Sequence, residues 1–154
     1  MNRFGFARWW GLVLGVALLG CLTAGPAPAA EKVVSQITKQ EVLRLLQREG
    51  YAASLDKAGE VIWKMDGFTA LMFVPEERTS LQYSIVFTEG KWKLETVNRW
   101  NRDRRYSRSY LDKDGDLHLE LDLDLVGGVT EARILDFFRT CLLSFQAWNK
   151  EVVQ

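Results

Sequence analysis

Apolar residues along the chain recur first at helical spacing, then at every second position, then at helical spacing again, and each change of period marks an element. Thr38-Lys39-Gln40-Glu41 forms a capping box, flanked by Ile37 and Val42 as a hydrophobic staple. Gly50 closes this helix, whose buried stripe is Val42, Leu45 and Leu46. From Tyr51 to Phe87 the period falls to two, predicting strands near Ala52–Asp56, Glu60–Met65, Phe68–Val74 and Ser80–Phe87, with Asp66-Gly67 as a hairpin turn. Glu89-Gly90 ends the meander, and Leu94, Val97 and Trp100 predict a second helix from about Lys91 to Arg102. A second hairpin pairs Tyr106–Asp112 with Leu117–Val126 through Lys113-Asp114-Gly115, placing Gly115 in the left-handed position. Gly127-Gly128 breaks that strand, and Thr130 caps a final helix with Ile134, Phe137, Phe138, Cys141, Leu142, Phe145 and Trp148 along one face. Helix, meander, helix, hairpin, helix is the order of an α+β fold, with helices packed on a largely antiparallel sheet.

The first 30 residues have a different pattern. Arg3 and Arg8 precede an apolar stretch, Trp9 to Ala24, that is shorter than the roughly 20 residues a transmembrane helix needs. Gly25-Pro26-Ala27-Pro28-Ala29-Ala30 then supplies small residues and helix breakers, with Ala27 and Ala29 placed for a signal peptidase. The reading is a signal peptide over 1–29 and one exported domain over 30–154, periplasmic or secreted, with no membrane span in the mature form. Leu18-Leu19-Gly20-Cys21 offers an alternative, a lipoprotein anchored at Cys21.

Composition narrows the classes without naming a reaction. In 154 residues, 20 Lys+Arg stand against 20 Asp+Glu, hydrophobic residues make up 47% and only three prolines occur, which excludes disordered and collagen-like chains. Removal of 1–29 takes away Cys21, leaving Cys141 as the mature domain's one thiol and as a small core residue. A single histidine, His118, rules out a multi-histidine metal site within one chain. Asp112-Lys113-Asp114-Gly115-Asp116 places carboxylates at alternate positions as a calcium loop does, but its Gly is at position 4 and Leu123 stands at position 12. Neither a metal nor a cofactor is expected.

Charge is concentrated in the second hairpin. Arg99, Arg102, Arg104, Arg105 and Arg108 are followed by Asp112, Asp114, Asp116, Glu120, Asp122 and Asp124. If Asp112 pairs with Asp116, Arg108 falls opposite Glu120, Arg104 opposite Asp124, Tyr106 opposite Asp122 and Tyr110 opposite His118. The two clusters then neutralise one another on a solvated face, while Leu117, Leu119, Leu121, Leu123 and Leu125 face the core. No net positive groove for nucleic acid survives this pairing.

Asn98-Arg99-Trp100-Asn101-Arg102, Arg105-Tyr106-Ser107-Arg108-Ser109-Tyr110-Leu111-Asp112, Asp114-Gly115-Asp116 and Gly127-Gly128-Val129-Thr130 together resemble the central signature of the YbjN family, labelled bacterial sensory transduction regulators. The resemblance runs from the first helix to the last. It implies a fold like that of type III secretion chaperones, three helices around a sheet of about five strands, and it brings no catalytic residues. The leader is a departure, since much of the family is cytoplasmic. The function expected is a non-enzymatic protein- or peptide-binding, chaperone-like or regulatory module of the envelope. Its partner would be another envelope protein or peptide, and a homodimer follows by analogy. Candidate contact residues are Trp92, Trp100, Asn101, Arg104, Tyr106, Arg108 and Tyr110, against the alternative that the aromatics pack the helix-to-strand junction. The competing class is a small-ligand binder or hydrolase using Glu120, Asp122 and Asp124 with the neighbouring arginines.

Overall fold

A computed structural model describes residues 32–154. The signal-peptide and Cys21 readings fall on residues outside that range. In chain order the elements are β1 (Val33–Val34), α1 (Lys39–Arg48), β2 (Ala52–Leu55), β3 (Val61–Met65), β4 (Phe68–Phe73), β5 (Ser80–Phe87), α2 (Leu94–Asp103), β6 (Arg108–Leu111), β7 (Leu117–Asp124), β8 (Val129–Thr130) and α3 (Glu131–Trp148). A π-helical turn, Asn149–Val153, continues α3. The three helices and the antiparallel sheet are those expected.

The main sheet has six strands in the order β2-β3-β4-β5-β7-β6, one more than the resemblance implied, and β1 with β8 adds a small separate ladder. The hairpin therefore joins the meander through its second strand, with Ser80 facing Asp124 and Phe87 facing Leu117. Alternation decides the faces. Val61, Trp63, Met65, Ala70, Met72, Leu81, Tyr83, Ile85 and the leucines of β7 are buried with α1 and α3 against them. Phe137, Phe138, Cys141, Phe145 and Trp148 come from one side of α3, while Leu142 is half-buried. The capping box of α1 forms as read, with Thr38 and Glu41 bonding each other's backbone amides. Thr130 caps α3 by accepting from the Arg133 amide at 3.2 Å.

Two expectations fail at β6. The strand starts at Arg108, two residues later than Tyr106, and the ladder ends at the Arg108–Glu120 pair. Tyr106 has φ +67°, a left-handed conformation that no strand continues through. Arg104 thus lies not opposite Asp124 but at the end of α2, paired with Glu151 and lying over the Trp100 ring at 5.4 Å. Tyr106 is likewise not paired with Asp122. Arg108–Glu120 and Tyr110–His118 are in the register expected.

Candidate interaction surface

The end of the sheet built by β6, β7 and α2 gathers most of the candidate residues, and it does so in two layers. The inner layer is structural. Trp100, 3% exposed, donates its indole Nε1 to Ser107 Oγ at 3.1 Å. Asn101 acts as a stand-in strand residue: its Nδ2 donates to Ser109 O at 2.7 Å and its Oδ1 accepts from Ser109 N at 2.9 Å. One side-chain amide thereby closes the outer edge of β6. Ser109 Oγ accepts from Trp148 Nε1 at 2.9 Å and donates to His118 O at 2.9 Å, so β6, β7 and α3 meet at one hydroxyl, and α2 joins at the same residue's backbone through Asn101. Trp92 is half-buried on Phe87, ring centroids 6.1 Å apart, and a Cβ on Gly90 would lie 2.2 Å from its ring. Trp92, Trp100 and Asn101 therefore spend their side chains within the fold.

The outer layer lies on the sheet face that no described element covers. Glu120, 7% exposed although on this face, accepts from Tyr110 Oη at 2.8 Å and pairs with Arg108. Arg108 lies over the Tyr110 ring at 5.2 Å, and that ring stacks on His118 at 4.6 Å with planes 5° apart. His118 Nε2 in turn lies 3.3 Å from Asp112 Oδ2. Burial, then the bond to Glu120, pushes the Tyr110 hydroxyl above its ordinary pKa. The backbone amide of Asp116, with help from His118 and the Asp114 amide, holds the Asp112 carboxyl below its ordinary range. Asp112 also organises the loop, accepting from the Asp114 and Asp116 amides at 2.9 Å. That bonding pattern is a turn, and Gly115 takes the left-handed conformation, φ +86°.

Across the same face toward β3, the side chains become apolar: Ile62 and Leu71 sit half-buried in register, with Phe73 41% and Val86 43% exposed. Val86 stands beside His118 of the ordered polar cluster, while Gln82 and Ser84 of β5 separate that cluster from Leu71 and Phe73. Of the competing carboxylates, Glu120 is bound by Tyr110 and Arg108, Asp122 Oδ1 accepts from Gln82 at 2.9 Å, and Asp124 Oδ1 accepts from the Val126 amide at 2.8 Å. Each serves a different partner.

Tyr106, 76% exposed, stands apart from both layers. It overhangs a cavity of about 370 Å³ between β7 and α3, floored by Leu121 and Phe137. Sequence reasoning gave Ser107 and Ser109 no role, and it placed Trp148 on the apolar face of α3 without its indole bond. The signal was present for one of them: Ser109 shares its strand parity with Leu111, so a hydroxyl was due inside the leucine face and needed partners there.

A family profile described as "Putative bacterial sensory transduction regulator", YbjN, matches residues 38–152. No curated protein matches the sequence. Among solved structures the chain is similar to one titled "Crystal structure of YbjN, a putative transcription regulator from E. coli". The two are 15% identical, with a TM-score of 0.57, over 79% of this chain and 97% of that one. At that identity the likeness is one of fold.

Proposed function

The chain belongs to the YbjN family, and from that premise we propose that it is a non-enzymatic binding module of the bacterial envelope, holding another envelope protein or peptide in a regulatory or chaperone-like role. The observation that carries this reading is the uncovered sheet face, where Val86 lies beside His118 of the ordered Arg108–Glu120–Tyr110–His118 cluster and Ile62, Leu71 and Phe73 lie on the same face beyond β5. Exposed and half-buried apolar side chains interspersed with fixed polar groups match the composition of a protein contact surface. The leader over 1–29 supports an envelope location, with mature chains beginning at Ala30 and, in the alternative, at a lipidated Cys21. Among the described residues no helix is long and apolar enough to cross a membrane.

The test is crosslinking of the tagged protein in its own host, followed by mass spectrometry of envelope adducts. A reproducible protein adduct, lost in the Phe73→Asp/Val86→Asp double variant at unchanged melting temperature, is the expected result. Self-adducts alone, or none at good expression, would overturn the reading.

A further inference from the structure

Side-chain amides bond the outer edges of both outermost strands of the main sheet. Asn101 bonds both backbone groups of Ser109 on β6, and Gln47 Nε2 donates to Ala53 O at 3.0 Å on β2. Another edge is the far end of β7. Its pairing with β5 runs to Asp124, whereas β6 reaches only Glu120. Asp112 N donates to Asp116 O at 3.0 Å and Leu125 N to Thr79 O at 2.8 Å, so even residues of this strand turn their backbone toward β6 and odd ones toward β5. Asp122 and Asp124 therefore direct their N–H and C=O groups to the side where β6 has ended. Such a row is a template for a further strand.

Chemistry around this edge specifies what would add there. Continued in register, Arg104 would have faced Asp124, but Tyr106 turns the chain away and Arg104 goes to Glu151. Asp122 and Asp124, both exposed on the outer face, make no salt bridge with any described residue, Arg108, whose charge feels Asp122, being paired with Glu120 instead. On the inner side of the same edge lies the cavity of about 370 Å³ beneath Tyr106, with Leu121 and Phe137 at its floor and the Arg133–Asp136 pair, 3.1 Å, at its rim. Side chains directly opposite in an antiparallel ladder share a face. A strand added here puts alternate side chains beside the two aspartates and into the cavity.

Resting on the binding-module reading above, we infer that the edge of β7 at Leu121–Asp124 takes an extended peptide segment of a partner protein, one that alternates basic and apolar side chains and adds in line with β6. Backbone bonds to Asp122 and Asp124 provide the attachment, the basic side chains supply the charge that Arg104 withholds, and an apolar one enters the cavity. A second copy of this chain is a poor occupant, because antiparallel pairing of two such edges sets aspartate against aspartate.

The test uses the mature chain, isotopically labelled, with three peptides: acetyl-Lys-Leu-Lys-Leu-Lys-amide, its backbone N-methylated analogue, and the Glu-for-Lys analogue. The expected result is saturable binding of the first alone, with slowed hydrogen exchange at the Asp122 and Asp124 amides. In the Asp122→Lys/Asp124→Lys variant that binding weakens at least about tenfold and preference turns to the glutamate peptide. Thr140→Trp, which fills the cavity from α3 without altering charge, also weakens it. Equal binding of the N-methylated peptide, binding without protection at the two amides, or no binding of any peptide at about millimolar concentration would each overturn the inference. Protection that rises with protein concentration alone would assign the edge to a second copy and overturn it too. A partner crosslinked in the host while the peptides ignore this edge removes only the present inference, whereas absence of any partner removes the binding reading itself.

Discussion

Tyr83 places a hydroxyl in the core that finds no hydrogen-bond partner among the described residues. The residue is 0% exposed, its ring set edge-on to Trp63 at 6.0 Å, and burial pushes its ionisation far above the ordinary tyrosine value. Its aromatic body is what the packing uses. Removing a buried, unpaired polar group while keeping the shape relieves a desolvation cost, so Tyr83→Phe is expected to hold or raise stability, by up to about 1 kcal/mol in urea denaturation. Ser109 is the opposite case. Its hydroxyl satisfies both Trp148 Nε1 and His118 O in the interior. Ser109→Ala leaves a buried indole donor unpaired and should cost about 1–3 kcal/mol by the same measurement. A clear loss of stability in the first variant, or none in the second, would refute this account of the core. Cys141, 0% exposed with its thiol pushed up by burial, should resist thiol reagents in the native protein and react once it is unfolded.

At the scale of elements, the β6–β7 hairpin shows both how far the sequence could be read and where reading stopped. Leucine alternation and Gly115 specify the turn and, through it, the Arg108–Glu120 and Tyr110–His118 pairs, because register propagates with a period of two. What alternation does not encode is where pairing ends. The departure at Tyr106 follows from tertiary bonds, Trp100 to Ser107 and Asn101 to Ser109, that hold α2 against β6. The same limit hid β1, whose two residues pair with Val129 and Thr130 far along the chain. The candidate site was legible as a region, Asn98 to Asp124, but its division into packing residues and surface residues was not, since exposure depends on what covers each face. Within the loop of this hairpin, Asp112 has its folded pKa lowered by the Asp116 and Asp114 amides and by His118. Its contribution is therefore present above the unfolded value of about 3.9 and is lost as pH falls through the folded one. Asp112→Asn is expected to lower the melting temperature at neutral pH. The gap should close as the solution is acidified below the ordinary aspartate range, and a gap independent of pH would contradict that linkage.

At the scale of the whole molecule, the strand order divides the sheet into two pieces that are each local in sequence, the meander β2 to β5 and the hairpin β6–β7. One seam joins them, from Ser80–Asp124 to Phe87–Leu117. Every pair along it closes a long intervening loop, so its entropic cost falls due before the burial of Leu81, Ile85, Leu119 and Leu121 repays any of it. The seam is thus where the kinetics of the chain are decided. Shortening a side chain on it, as in Ile85→Val, should slow refolding by nearly the full loss in stability. Loosening the outlying β2, as in Ala53→Gly, should leave refolding untouched and hasten unfolding, a contrast that rapid-mixing chevrons resolve. A chain made as two local pieces waits on a single long-range encounter, and until β5 meets β7 the meander carries an open apolar edge at Leu81–Ile85, making this the interval in which a newly made molecule is most exposed to aggregation.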